Sequence, residues 1–264
     1  MTVVDVNGAR LWYDETGQGD AVLLLHGGLG DSGLWEPVAP LLAERFRVLR
    51  TDFRFFGRST GPAASFSIRE DTIALLDTIG LERAALVGLS LGGSVALDLA
   101  LDHPDRVWAA AGVAGGVSGR PVNPFDDGQD AAYEQAMEQH DWDTARELEL
   151  AVWAPLGADE RIRQLWHATP DADLLPPGVE FRPPATPAAG RLGELRVPFL
   201  AITVAHDPPG MRELGRALAA EAPDARHVEL DSDHYVTLRQ PEALARVLLE
   251  FLEPLSSSGA SSSG

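Results

Sequence analysis

The sequence predicts an α/β fold built on a mostly parallel sheet of eight strands, with helices on both faces and one helical insertion. Three observations predict it. Apolar runs of strand length, such as Ala21–Leu25 and Ala84–Leu89, lack alternation and suit strands buried on both faces. Segments with helical spacing stand between such runs, the succession expected of crossover connections in a parallel sheet. The composition is that of a globular chain: 264 residues, 45% hydrophobic and 23% charged, enough for one large domain or a core with an inserted subdomain.

The elements follow in order. Thr2–Val6 and Ala9–Asp14 are short strands joined by Asn7-Gly8, a hairpin signal. Ala21–Leu25 is a buried strand, followed by a Gly-rich loop and a helix over Trp35–Phe46. Arg47–Thr51 is a strand ending at Asp52. Ser67 and Glu70 form a capping box that opens a helix running to Ile79. Ala84–Leu89 is a strand, Leu91–Leu101 a small-residue helix and Val107–Val113 a further strand. Helices are expected at 131–140, 143–153 and 159–167, and 171–190 reads as an irregular, Pro-rich return. The α/β pattern resumes with a strand at 197–204, a helix at 211–220, a strand at 226–230 and a helix at 241–252. The expected division is a core of residues 1–117 and 191–253, a helical cap over 118–190, and a flexible Ser/Gly tail over 254–264.

Composition excludes several classes. There is no cysteine, so a disulfide framework, a Cys-ligated zinc site and a cysteine nucleophile are ruled out. All 21 basic residues are Arg, and the net charge is −19. Without Lys there is no P-loop. The acidic balance argues against nucleic-acid binding and predicts discrimination against polyanionic substrates. The segment 118–190 is the most acidic, with 5 Arg against 14 Asp and Glu. No apolar run approaches the roughly 20 residues of a membrane span. The N-terminus does not read as a signal peptide, and the expectation is a cytoplasmic protein.

The most specific motif is Gly88-Leu89-Ser90-Leu91-Gly92, a G-x-S-x-G between an apolar strand and a helix. A serine on so tight a strand-to-helix turn requires small flanking residues. The helix that follows aims free N–H groups and its positive dipole end at the reacting centre. Ser90 is therefore the expected nucleophile.

A serine hydroxyl needs a base, and seven histidines are available. His234 lies between the last strand and the last helix, at the sheet edge where open α/β folds place their sites. His227 falls within a strand and reads as solvent-facing. His140 and His167 read as exposed, His103 as a helix-end residue, and His26 as a brace for the Gly-rich loop. His234 is thus the expected general base. Asp207 follows a strand end and precedes His234, giving the order Ser, Asp, His, and it is the expected orienting acid. Asp231 and Asp233 read as solvated loop residues. The oxyanion donors are expected from the backbone of Leu91 and of Gly28, with Leu29 as the fallback.

With these motifs in place the sequence resembles the α/β-hydrolase superfamily over residues 9–253. His26-Gly27-Gly28 is similar to its oxyanion-loop motif. Residues 52–59 resemble its D-x-R-G-x-G-x-S segment, 88–92 its nucleophile elbow, and His234 with Pro241-Glu242 its C-terminal histidine block. The most similar subgroup holds small capped esterases, enol-lactonases, carbon–carbon bond hydrolases and cofactor-free haloperoxidases. There are two departures. Phe55 stands where the family usually has Gly, and Val204-Ala205-His206-Asp207 replaces a more usual Gly-x-x-Asp. The resemblance implies hydrolysis of a small carboxylic ester without metal or organic cofactor. The same triad would serve lactone opening, carbon–carbon cleavage, perhydrolysis or acyl transfer. A hydrolase-fold ligand receptor is the alternative of another class. Leu29, Phe55, Trp142 and Trp153 are the expected substrate-lining residues, the last two as part of a roof contributed by the cap; the alternative, favoured for most of the cap's apolar residues, is that they pack the cap onto the core.

Overall fold

The computed structural model describes residues 2–169 and 177–257. The stretch 170–176, which includes the start of the expected irregular return, and the end of the expected tail lie outside the described residues. Eight strands form one sheet: β1 Thr2–Val6, β2 Ala9–Thr16, β3 Ala21–Leu25, β4 Arg47–Thr51, β5 Ala84–Leu89, β6 Val107–Val113, β7 Phe199–Val204 and β8 Ala225–Leu230. Their order is β1-β2-β4-β3-β5-β6-β7-β8, and only the β1–β2 and β2–β4 pairs are antiparallel. The chain leaves β3 toward one edge and returns from β4 to build the other. Loops therefore diverge at the C-terminal ends of β3 and β5, the switch point where such sheets bind ligands.

The helices are α1 Ala39–Leu42, α2 Ile68–Thr78, α3 Leu91–Asp102, α4 Asp127–Glu138, α5 Trp142–Trp153, α6 Glu160–His167, α7 Pro209–Glu221, α8 Val236–Arg239 and α9 Pro241–Leu252. Two apolar clusters cover the two faces of the sheet. One joins alternate residues of β3 and β5 to Trp35, Tyr235 and α9, and the other joins the intervening residues to α3 and α7. The period of two along each strand divides its side chains between the faces.

Two helices differ from the expectation. The helix expected over Trp35–Phe46 is broken into a 3₁₀ turn, Ser32–Trp35, and the short α1. Pro37 and Pro40 lack the N–H that a continuous helix needs. The helix expected at 131–140 starts at Asp127, because Asp126 and Gln129 form a reciprocal capping box. The other predicted elements are present to within a few residues.

Between β6 and β7 lies an insertion carrying α4, α5 and α6. Its two ends meet at Ser118. The hydroxyl donates to the buried Asp98 of α3 at 2.5 Å and accepts from Ala188 N–H at 2.8 Å, while the Ser118 carbonyl accepts from Ala189 N–H at 3.0 Å. Burial pushes the Asp98 carboxyl up from its ordinary range, against the pull of Ser118 and Arg69.

Candidate active site

Ser90 sits between the end of β5 and the first turn of α3, with φ +53° and ψ −113°. This is an unfavourable conformation for a residue with a side chain. Its N–H donates to the Val113 carbonyl at 2.8 Å, which pins the turn to β6. Close packing explains the flanking glycines. A Cβ on Gly88 would lie 2.0 Å from the carbonyl of Gly92, and one on Gly92 would lie 2.3 Å from the carbonyl oxygen of Leu25. Leu91 is the first residue of α3, so its N–H has no acceptor within the helix. Gly28 faces it: a Cβ there would meet the Leu91 side chain at 3.9 Å, and one on Gly27 would meet the Ser90 Cβ at 3.3 Å. One expected oxyanion donor thus opens α3 directly after the serine, and the other lies on the loop that packs against it.

His26 holds this loop, as expected. Nδ1 donates to the Gly27 carbonyl at 2.7 Å, and Nε2 accepts from Phe53 N–H at 2.9 Å, which fixes a neutral tautomer. Its ring packs on Phe53 and Phe56. Burial pushes the imidazole below its ordinary range. Asp52, at the end of β4, ties the same loop down by accepting from Ser32 N–H and from the backbone and guanidinium of Arg58. Burial by itself would raise the Asp52 carboxyl, but the hydrogen bonds from Arg58 and Ser32 outweigh it and hold it below the usual carboxylate range.

His234 and Asp207 come together on the other side. Nδ1 of His234 faces the Asp207 carboxylate at 2.9 and 3.1 Å, and both side chains are buried. Asp207 follows β7 and His234 follows β8, so both reach the sheet edge that carries Ser90. With Nδ1 engaged, Nε2 is the ring nitrogen left for chemistry. It is buried and makes no hydrogen bond, to Ser90 or to any other described residue. Catalytic hydrogen bonds are often long without substrate.

The expected lining residues separate. Trp153 lies on the His234 ring, with centroids 4.4 Å apart. Leu29 is half-buried and packs against the apolar cluster of β3, β5, Trp35 and α9. Phe55 packs edge-on against Phe66 at 5.5 Å, with φ +71°. That left-handed backbone is the reason a glycine suits the position. Trp142 packs on His140 at the other end of α5, about 16 Å from Trp153 along the helix at 1.5 Å per residue.

Asp233, expected to be solvated, is fully buried. It accepts from Tyr235 N–H, from Arg239, and from Leu156 N–H of the insertion. The sequence offered no local signal for this, because one partner is 77 residues away. Asp231 is exposed, as expected, and faces His206 at 3.0 Å. His227, expected to face solvent, is half-buried and bonded to Thr203 at 2.8 Å across the edge pair of strands. Among the described residues, no group of three His, Asp or Glu is placed to hold a metal, and no helix is long and apolar enough to cross a membrane.

The profile of the alpha/beta hydrolase fold family matches residues 20–152, which run from the start of β3 to near the end of α5. The chain belongs to the α/β-hydrolase family. This α/β hydrolase is 31% identical to a fluoroacetate dehalogenase of Burkholderia sp., over 95% of its own length and 92% of the relative's. A local match at 44% identity to the RutD protein of Caulobacter sp. (strain K31) spans 32% of this chain and 34% of that protein. Among solved structures, the enol-lactonase from Burkholderia xenovorans LB400 superposes with a TM-score of 0.70 at 25% identity, covering 95% of this chain and 99% of that one.

Proposed function

We propose that this α/β hydrolase is a serine esterase acting on small carboxylic esters, with Ser90 as nucleophile, His234 as general acid and base, and Asp207 orienting the imidazole. The observation that carries the reading is the buried Asp207–His234 pair, its Nε2 unbonded, on the sheet edge that also presents the strained Ser90. His234 Nε2 takes the hydroxyl proton as Ser90 Oγ bonds to the acyl carbon. The carbonyl electron pair moves to oxygen, where the N–H groups of Gly28 and Leu91 stabilise it. The pair returns, the C–O bond to the alcohol breaks, and His234 gives its proton to the departing oxygen. Water then repeats the sequence on the acyl-enzyme and releases the acid. Asp207 fixes the tautomer and stabilises the imidazolium. Apart from substrate and water, each step uses groups of the chain itself. The insertion serves as a cap, with Trp153 its contribution above His234.

The nucleophile favours acyl chemistry over carbon–halogen cleavage. Displacement of halide at a saturated carbon would leave an ether on Ser90, which has no carbonyl for water to attack. An acyl group on Ser90 does have one. Lactones are the second reading, supported by the similarity to an enol-lactonase. Their ring opening follows the same steps, the leaving alcohol remaining attached to the acyl chain.

The test is turnover of a graded aryl-ester and lactone panel by wild type and Ser90→Ala, with intact mass after a fluorophosphonate probe. The expectation is one adduct on wild type, none on the variant, and a loss of turnover of about 10⁴-fold or more. Equal turnover in Ser90→Ala would overturn the reading.

A further inference from the structure

We propose that Asp233 is a positioning residue: one buried carboxylate that both seats the insertion and aligns His234. The inference rests on the reading of His234 as general base. Asp233 precedes His234, and its Oδ1 accepts from the N–H of Tyr235, which follows it, at 3.2 Å. The side chain of one neighbour thus closes a turn on the backbone of the other, with His234 enclosed. Oδ1 also accepts from Arg239 Nε at 2.6 Å, which fixes the turn to α8. The second oxygen, Oδ2, leaves the loop and accepts from Leu156 N–H at 3.3 Å. Arg239 reaches the same stretch by donating to the Gly157 carbonyl. Trp153, three residues before Leu156, carries the ring that lies on His234.

Residues 153–157 therefore meet the histidine loop three times. One contact is on the imidazole itself, and the other two pass through Asp233 and its counter-ion. A buried carboxylate without these partners would be strongly destabilising. Its position is accordingly set by the insertion and the loop together, and a displacement of residues 153–157 is transmitted to the turn that holds His234. Asp231, two residues earlier and 89% exposed, has no such reach.

The experiment compares wild type, Asp233→Asn, Trp153→Leu and the double variant. It measures the rate of Ser90 phosphonylation by a fluorophosphonate, kcat and KM on an aryl ester, and amide exchange at Leu156. Asp233→Asn should label about tenfold or more slowly, with the loss in kcat exceeding any change in KM. Leu156 should exchange faster. The double variant should lose less than the product of the single losses, because both substitutions disturb one unit. Wild-type labelling and kcat in Asp233→Asn would overturn the proposal, as would losses that simply multiply. So would a loss explained wholly by the unfolded fraction at the assay temperature. Should Asp233→Asn not fold, Arg239→Lys keeps the charge and loses the bridge to Gly157. Labelling slowed about threefold or more, led by kcat, then supports the proposal, and wild-type rates overturn it. A wild type that resists the probe, or a Ser90→Ala that labels equally, defeats the esterase reading instead. In that case Leu156 exchange decides the seating by itself: faster in Asp233→Asn supports it, unchanged overturns it.

Discussion

At the elbow, backbone atoms do the positioning. Ser90 is held by its own φ and ψ, by a 2.8 Å bond from its N–H to β6, and by two glycines where a Cβ would stand 2.0 and 2.3 Å from carbonyl groups. Across the site, side chains do the same task. His234 is placed by Asp207, by the ring of Trp153 and by the turn that Asp233 closes. The backbone solution tolerates almost no substitution and writes itself into five consecutive residues. The side-chain solution draws its parts from three separated segments and can be altered one group at a time.

The sharpest way to break this comparison is a single methyl group. Gly88→Ala would drive its Cβ into the peptide of Gly92, inside α3, where no flexible side chain can yield. The expected cost is more than about 4 kcal/mol, seen as loss of folded protein or a collapsed urea midpoint. Trp153→Leu, on the histidine wall, should cost less than about 2 kcal/mol in the same unfolding experiment. A Gly88→Ala protein with a wild-type midpoint would show that the elbow is not held by close packing.

The same contrast governs what could be read from the sequence. The strands, their parallel arrangement and the elbow were legible because apolar runs and close backbone approaches leave marks within a few residues. The pairing of Asp207 with His234 followed from chain order and strand ends, though 27 residues separate them. The capping box of Asp126 and Gln129 was equally local and could have been read. The interruption by Pro37 and Pro40 was also visible, and the missing N–H groups should have outweighed the apolar spacing. The burial of Asp233 was not legible. Its turn bond to Tyr235 is short-range, but nothing in residues 231–235 indicates that an N–H from residue 156 will arrive to bury it. Trp153 and Trp142 looked alike as roof residues. Only the direction of α5 separates them.

His26 sharpens the comparison, being a side-chain brace on the backbone wall. Its folded pKa lies below the ordinary imidazole value because burial disfavours the cation. As pH falls through about 6.5 the unfolded chain takes up this proton and the folded chain does not. Stability is therefore full above about pH 6.5 and declines below it, by at most about 1.4 kcal/mol per pH unit from this group. Asp52 contributes in a separate window. Its folded pKa is depressed, so its stabilisation is present above the ordinary carboxylate range and is lost only as pH falls through a lower value. His227 is also lowered by burial, so the measurement must be a difference. Urea unfolding between pH 7 and about pH 5 should show a shallower decline in His26→Asn than in wild type. Parallel curves would mean that His26 is not held neutral.

The smallest effect concerns the residue where both modes of positioning meet. Phe55 has a left-handed backbone, which costs a non-glycine residue about 1–2 kcal/mol. Its ring offsets that cost against Phe66, at 5.5 Å. Phe66 in turn bonds to both sides of Phe181, through Glu180 and Arg182, and packs on the Phe181 ring at 4.8 Å. Phe55→Gly removes the ring and the strain together, so stability should change by no more than about 1 kcal/mol. Phe55→Ala removes the ring and keeps the strain, so it should be the less stable variant by about 1 kcal/mol. Thermal unfolding of the pair decides the matter, since alanine ordinarily stabilises relative to glycine and here the order should reverse. An alanine variant at least as stable as the glycine variant would mean that no strain is stored at residue 55. In either variant the loss should be felt first where the return of the insertion, residues 180–182, leans on Phe66. The elbow should be unaffected, because its geometry is set by backbone contacts in which the Phe55 ring has no part.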